Sequence, residues 1–320
     1  NQIIIGRNAR RLTDGLFEFT EWGPVRDQGV GAGVEASELV SDRESEGRVG
    51  EGQRKIVSSK LIGRDHELDR LGLHVLGLLN GRGGVVSLVG PAGIGKSRLY
   101  SELKRTYSNR SVAFLEGRSI STGQALSFHP LVDMLTKWTR ISDQDTNAAA
   151  LHKLQTAIES IHHDDADEVF PFIATVMGLK LSGSHAKRMS GIEGHNLRQL
   201  IFRSIRSLLV AASRHRPMVL VLEDLHWADT TSLEFLESLY GLVIDHRILF
   251  INIYRSGFHD STEPLADVLD GQFSAFHERI QLQPLQPTDC AELHSDLLHA
   301  SEVPTPIKQS IIDKGDGNPF

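Results

Sequence analysis

The feature that most constrains this chain is Gly90-Pro91-Ala92-Gly93-Ile94-Gly95-Lys96-Ser97, set directly after the apolar run Val85–Val89 and before Arg98-Leu-Tyr-Ser-Glu-Leu-Lys. A buried strand, a glycine-rich bend and a helix in that order leave few folds open. The glycines let backbone N–H groups turn inward with no Cβ in the way. The helix that opens near Gly95 adds unpaired N–H groups and the positive end of its dipole. Such a bend is a cradle for a polyphosphate, with Lys96 as a point charge and the Ser97 hydroxyl as a Mg²⁺ ligand. Gly90, Pro91, Ala92, Gly93, Ile94, Gly95, Lys96, Ser97 and Arg98 are therefore the expected phosphate-contacting set.

The fold class follows from what surrounds the bend. Four apolar runs read as buried strands, Val85–Val89, Val112–Leu115, Met218–Leu222 and Ile248–Ile253, with Arg279–Leu282 as a fifth. Continuous apolar runs alternating with helical patterns indicate a parallel sheet covered on both faces. The expected architecture is an α/β three-layer sandwich of the P-loop NTPase type. It has a mostly parallel five-stranded sheet, a long helical insert between the second and third strands, and a small β-rich segment at the N-terminus. Leu197, Leu200, Ile201, Ile205, Leu208, Leu209 and Ala212 keep helical spacing within the insert, as do Leu131, Leu135 and Trp138. Gly183–Asn196 reads as a mobile loop. Residues 1–42 are β-like, with Gly23-Pro24, Gly29, Gly31 and Gly33 marking turns, and residues 43–59 lack apolar periodicity and read as a linker. Residues 60–300 form the expected nucleotide-binding domain, and 301–320 the start of a further, closing domain.

Composition limits the partners. The 320 residues hold 34 Lys and Arg against 41 Asp and Glu, a formal charge of -7. That argues against non-specific nucleic-acid or membrane binding as the main activity, although a local basic face is compatible with it. Direct nucleic-acid binding is not expected of these residues. The single cysteine, Cys290, excludes an internal disulfide and a cysteine zinc cluster, and fits a reducing, cytoplasmic setting. No apolar run approaches the roughly 18 residues needed to span a bilayer. The first residue is Asn1 rather than Met, as in a portion of a longer protein.

Met218–Leu222 runs into Glu223-Asp224, then Leu225-His226-Trp227-Ala228-Asp229. In parallel α/β sheets ligands sit at the carboxyl ends of the strands, so these acids are expected to face the phosphate cradle. By position, Glu223 is assigned to Mg²⁺ through water and Asp224 to orienting the attacking water. Asp229, or Thr231 with Glu234 at capping-box spacing, is expected to cap the next helix. Arg255 follows the next strand, where it can touch the terminal phosphate. His162-His163-Asp164-Asp165 reads as a solvated turn, because adjacent helical residues point in different directions and do not converge on a metal. Trp227 reads as a packing residue.

Taken together, GPAGIGKS, VLVLEDLHWAD, a strand closing in Tyr254-Arg255 and the final Gly317-Asn318-Pro319-Phe320 resemble the STAND class of signalling ATPases, within the AAA or Orc1-like ATPase domains. The resemblance covers residues 60–320 and includes Leu61-Ile62-Gly63-Arg64-Asp65-His66-Glu67-Leu68. It implies that Ile62, Gly63 and Arg64 border an adenine pocket and that Pro319 closes over it. It also implies that Arg255 is a nucleotide sensor, and that ATP or ADP with Mg²⁺ is the cofactor. Residues 10–30 (RRLTDGLFEFTEWGPVRDQGV) are similar to the closing strands of a class III adenylate or guanylate cyclase domain, departing from it at Asp27-Gln28-Gly29. The metal aspartates of such a cyclase are not in this sequence, so no cyclisation is expected of it. Implied partners are the nucleotide, a cyclase-like domain upstream, a sensor domain downstream, and a nucleotide-dependent oligomer. Alternatives that the residues leave open are a P-loop kinase of a small acceptor and a module that binds nucleotide without hydrolysing it.

Overall fold

The structure, a computed structural model, describes residues 3–6, 10, 17–25, 34–42, 60–108, 112–121, 127–162, 165–257, 259–297, 315 and 317–319. The chain divides into two compact units, Asn1–Ile56 and Val57–Phe320. The expected linker and most of residues 301–320 lie outside the described residues.

In the first unit, β1 (Ile3–Gly6), β2 (Phe17–Val25) and β3 (Val34–Asp42) form an antiparallel sheet in the order β1-β3-β2. Gly23 and Pro24 do not turn the chain. They continue β2, opposite Ala36 and Glu35, with a register shift between Glu21 and Gly23. The reason is position: β2 is an edge strand, where a residue without an N–H is tolerated, and a bulge absorbs the mismatch. The turns expected at Gly29, Gly31 and Gly33 lie outside the described residues.

The second unit is built on five parallel strands. These are β4 (Gly84–Val89), β5 (Ala113–Arg118), β6 (Met218–Glu223), β7 (Ile248–Tyr254) and β8 (His277–Gln281), in the order β5-β6-β7-β4-β8. Side chains alternate across the sheet, as the strand period of two requires. Val85, Val89, Leu220, Leu222, Ile248 and Phe250 enter one core, while Val86, Leu88, Val219, Val221, Leu249 and Ile251 enter the other. Helices α1 (Asp65–Leu79) and α2 (Lys96–Tyr107) cover the second core through Leu71, Val75, Leu78, Leu99 and Leu103. The opposite face carries the long insert: α3 (His129–Thr139), α4 (Asn147–Glu159), α5 (Ala166–Val176), α6 (Gly183–Met189) and α7 (Gly194–His215). On that face too lie α8 (Thr230–Tyr240) and α9 (His259–Gln272), and α10 (Pro287–Leu297) follows β8. This is the expected three-layer α/β sandwich of the P-loop NTPase type, with its insert between the second and third strands of the parallel sheet. Among the described residues no helix is long and apolar enough to cross a membrane.

Two local expectations are corrected. Gly183–Asn196 is not a loop: α6 occupies its first half and α7 begins at Gly194. Its glycines sit at helix boundaries, where Gly183, Gly191 and Gly194 take φ of 61°, 81° and 59°. They delimit helices rather than dissolve them. Thr231 does not cap α8, since the helix begins one residue earlier. Asp229 is the N-cap, accepting from the Ser232 amide at 3.0 Å.

Candidate functional site

Strands β4, β6 and β7 end side by side, so the segments leaving their carboxyl ends converge. From β4, Gly90–Gly95 bends back into α2. Gly93 and Gly95 adopt φ of 78° and 101°, in a region where a side chain would be strained. A Cβ on Gly95 would meet nothing within 4 Å, so the space beside this bend is open. A Cβ on Gly90 would lie 3.0 Å from Ile94 and 3.3 Å from Leu282, so this glycine serves close packing. No side chain caps the N-terminus of α2. Its first amides are available to an anion.

The carbonyls of the bend are engaged from several directions. Lys96 Nζ donates to the Gly90 and Pro91 carbonyls at 2.8 and 2.7 Å. Asn318 Nδ2 donates to the Ala92 carbonyl at 2.9 Å. Arg64, buried, donates to the Ile94 carbonyl at 3.2 Å and to the Gln283 carbonyl at 2.7 Å, and pairs with Glu67 at 3.2 Å. Carbonyl oxygens that are tied down in this way cannot turn toward a polyphosphate and repel it. Burial, then the nearby Arg255 charge, bring the Lys96 pKa down to about 8. Arg255, at the exit of β7, is thus close enough to be felt electrostatically at Lys96.

The acids of β6 take two different environments. Ser97 Oγ donates to Glu223 Oε2 at 3.3 Å, joining the start of α2 to the end of β6. Burial pushes the Glu223 carboxyl above its ordinary range. A hydroxyl and a carboxylate at this spacing are hard oxygen donors, which fits Mg²⁺. That ion uses one or two protein oxygens and completes its shell with water and phosphate. Asp224 leaves the strand with φ of 55°, and its Oδ2 accepts from Arg118 Nε and NH2 at 3.0 and 2.9 Å. Arg118 was not among the expected site residues. The sequence pattern ends that strand at Leu115, whereas β5 continues through Glu116 and Gly117 to Arg118, in register with Glu223. The continuation breaks the apolar run, which is why periodicity did not reveal it.

The remaining expected residues are placed as follows. Arg98 pairs with Glu102 at 3.0 Å, one turn along α2. Ile62 is buried in a small cluster with Leu285, Cys290 and Leu293. Gly63 takes φ of 64° against Asp289, whose carboxylate a Cβ would strike at 2.5 Å. The Gly317 carbonyl accepts from the Leu285 amide at 2.7 Å, and Gly317 fits against Pro284, where a Cβ would come within 2.6 Å. Asn318 and Pro319 therefore belong to a segment held beside the cradle, and it is Asn318 that contacts it. His226 is buried, and its ring stands 5.0 Å from that of Trp227; burial holds its pKa down to about 4. His162 meets Ser207 Oγ at 2.7 Å and Asp165 at 3.8 Å, while His163 and Asp164 lie outside the described residues.

Comparison with known proteins bears on this geometry. An uncharacterized protein of Rhizobium meliloti (strain 1021) is 25% identical over 308 residues, covering 94% of this chain and 29% of its own length. The chain thus spans less than a third of that curated relative. Among solved structures, the Aeropyrum pernix Orc1 protein in complex with DNA aligns with 83% of this chain and 59% of its own, at 14% identity and a TM-score of 0.45. The AAA ATPase domain family matches residues 60–251, which include the glycine-rich bend, Lys96, Ser97, Arg118 and the Glu223-Asp224 pair. With more than half its length matched and these residues gathered at the ends of three parallel strands, the chain belongs to the AAA ATPase domain family.

Proposed function

We propose that this chain is an ATP-binding, slowly hydrolysing regulatory switch of the STAND type, working as one part of a larger signalling protein. The reading is carried by the convergence of Lys96, Ser97 and Glu223 at the opening of the glycine bend. ATP bound there with Mg²⁺ would supply the reactive phosphoryl group. The residues of the chain do the rest. Amides of Gly93–Ser97 would bind the phosphate oxygens, and the Lys96 ammonium, seated against the Gly90 and Pro91 carbonyls, would neutralise the β- and γ-phosphates. Ser97 directly and Glu223 through water would hold the cation. Asp224, released from Arg118, accepts a hydrogen bond from the attacking water and orients it. Arg255 reads the terminal phosphate by its charge.

The contact of Asn318 with the Ala92 carbonyl supports a switch rather than a simple enzyme, because it joins the segment after α10 to the bend itself. Moving such a switch from almost fully open to almost fully closed needs about 5.5 kcal/mol of differential binding between the two forms. The likeness of residues 10–30 to cyclase closing strands supports a role beside a cyclase-like domain, with no cyclisation by these residues.

Calorimetry with ATP, ADP and GTP, with and without Mg²⁺, tests this reading. Lys96→Ala is expected to abolish tight binding. Asp224→Asn is expected to bind nearly as the parent does, while turnover falls about a hundredfold or more. Hydrolysis retained in Asp224→Asn would move the catalytic role elsewhere. Intact ATP recovered after long incubation would reduce the chain to a nucleotide-holding module.

A further inference from the structure

Charge is segregated along this chain, and the whole-chain value conceals it. Residues 180–216 contain eight Lys and Arg and one acid, Glu193, a net of +7 in a chain whose total is -7. Residues 217–320, by contrast, hold five basic and seventeen acidic residues. The basic stretch is α6, a short turn and α7. The apolar side of α7, with Ile201, Ile205, Leu208 and Leu209, is buried against the insert. Lys187, Arg188, His195, Arg198, Arg203, Arg206 and Arg214 are all exposed.

These cations are only weakly occupied. Arg198 reaches Glu234 at 3.8 Å with both side chains about half exposed, Arg206 donates to the Ser238 carbonyl at 3.1 Å, and Arg188 lies over the Phe172 ring. Among the described residues no carboxylate forms an ion pair with Lys187, Arg203, Arg206 or Arg214. Ordinary surfaces intersperse the two signs, because like charges side by side repel. Helix α7, 22 residues and about 33 Å long, carries Arg198, Arg203, Arg206 and Arg214 with no acid of its own. Glu234 of α8 stands beside Arg198, and the Asp167 backbone of α5 beside Arg188. A helix so charged is the electrostatic footprint of an anionic partner.

The surroundings select the kind of partner. A protein partner would require an apolar centre within the contact. The exposed large hydrophobic residues among those described are Leu73, Leu76, Ile120 and Ile244, none of them on α6 or α7. A single-stranded nucleic acid would require aromatic platforms for its bases. The aromatic ring of α7, Phe202, is packed 4.5 Å from Phe235 and 5.8 Å from Phe128. What remains suited to this face is a regular array of phosphates with the bases turned inward. We propose that the exposed cations of α6 and α7 bind the phosphate backbone of a nucleic-acid double helix without reading its sequence. At one phosphate per 3.4 Å of axis on each strand, about 30 Å of protein helix spans roughly nine base pairs. The expectation drawn from net charge averages these cations against acids located elsewhere in the chain, and the binding experiment decides between the two readings.

The test is fluorescence anisotropy of the 320-residue chain with a labelled 20-base-pair duplex between 50 and 200 mM salt. Binding is expected at low salt, with log K falling against log salt at a slope of roughly −3 to −4, as for about four phosphate contacts. Two duplexes of unrelated sequence should bind alike. Lys187→Ala/Arg203→Ala/Arg206→Ala should weaken binding at least tenfold and flatten the slope by about 1 per lost cation. Its calorimetric affinity for ATP should not change. Should the triple variant fold poorly, Arg203→Gln alone carries the same expectation for the slope. Lys137→Ala, on α3, should bind the duplex as the parent does, and so should Lys96→Ala, which separates this proposal from the nucleotide site. No binding at 50 mM salt, or a triple variant that binds undiminished, overturns the proposal. Displacement of the duplex by an equal charge of polyglutamate would assign the face to an acidic protein instead, and overturns it too.

Discussion

Lys96 illustrates how one residue carries two opposed requirements. Under the proposed function its ammonium has to be charged to neutralise a polyphosphate, yet burial and the Arg255 charge bring its pKa down to about 8. A bound anion would raise that value again, so the complex holds a proton that the free protein begins to release as pH rises through 8. Affinity for ATP should therefore be flat below about pH 7.5 and fall above pH 8, by at most about tenfold per pH unit. Calorimetry between pH 7 and 10 measures it, and Lys96→Arg, whose side chain stays charged throughout, should remove the dependence. The placing of Ser97 beside Glu223 was legible in the sequence because the motif spacing sets both at the carboxyl ends of strands in one parallel sheet. Arg118 and the Asn318 contact were not, since each acts across more than 100 residues of chain and through partners that periodicity does not report.

Among the elements, β5 and α3 depend on one close approach. A Cβ on Gly117 would come within 2.0 Å of the Pro130 carbonyl, so α3 lies directly on the end of β5. Gly117→Ala should force the two apart and cost about 1–3 kcal/mol or more of stability, measured by urea unfolding. Because Arg118 follows directly, the same variant should disturb its bond to Asp224. Turnover should then change more than ATP affinity does. The glycines between α6 and α7 teach a related lesson. Three glycines within 12 residues suggest a loop when counted, yet each lies at a helix end with positive φ, and Ala186–Met189 between them favour helix. Composition describes a segment, whereas conformation is decided position by position.

For the whole molecule, the cradle is a junction of distant parts. Arg64 binds the Ile94 and Gln283 carbonyls, Asn318 binds that of Ala92, and Leu282 donates its amide to the Val89 carbonyl. A ligand that binds only this assembled form stabilises everything that contributes to it. ATP with Mg²⁺ at about 100 times its dissociation constant should add about 2.7 kcal/mol to the stability of the second unit, read by calorimetric melting. Arg64→Ala should reduce that gain without touching the phosphates, and Lys96→Ala should abolish it.

The amino-acid sequence alone determined the glycine bend, the parallel strands and the acids at the end of β6. These depend on local spacing: a glycine bend between a strand and a helix, and apolar runs long enough to be buried on both faces. Tertiary structure alone decided that Arg118 holds Asp224 and that Asn318 reaches the bend. Those relations join residues whose separation in the chain carries no period, and only packing of the sheet and its helices brings them within bonding distance.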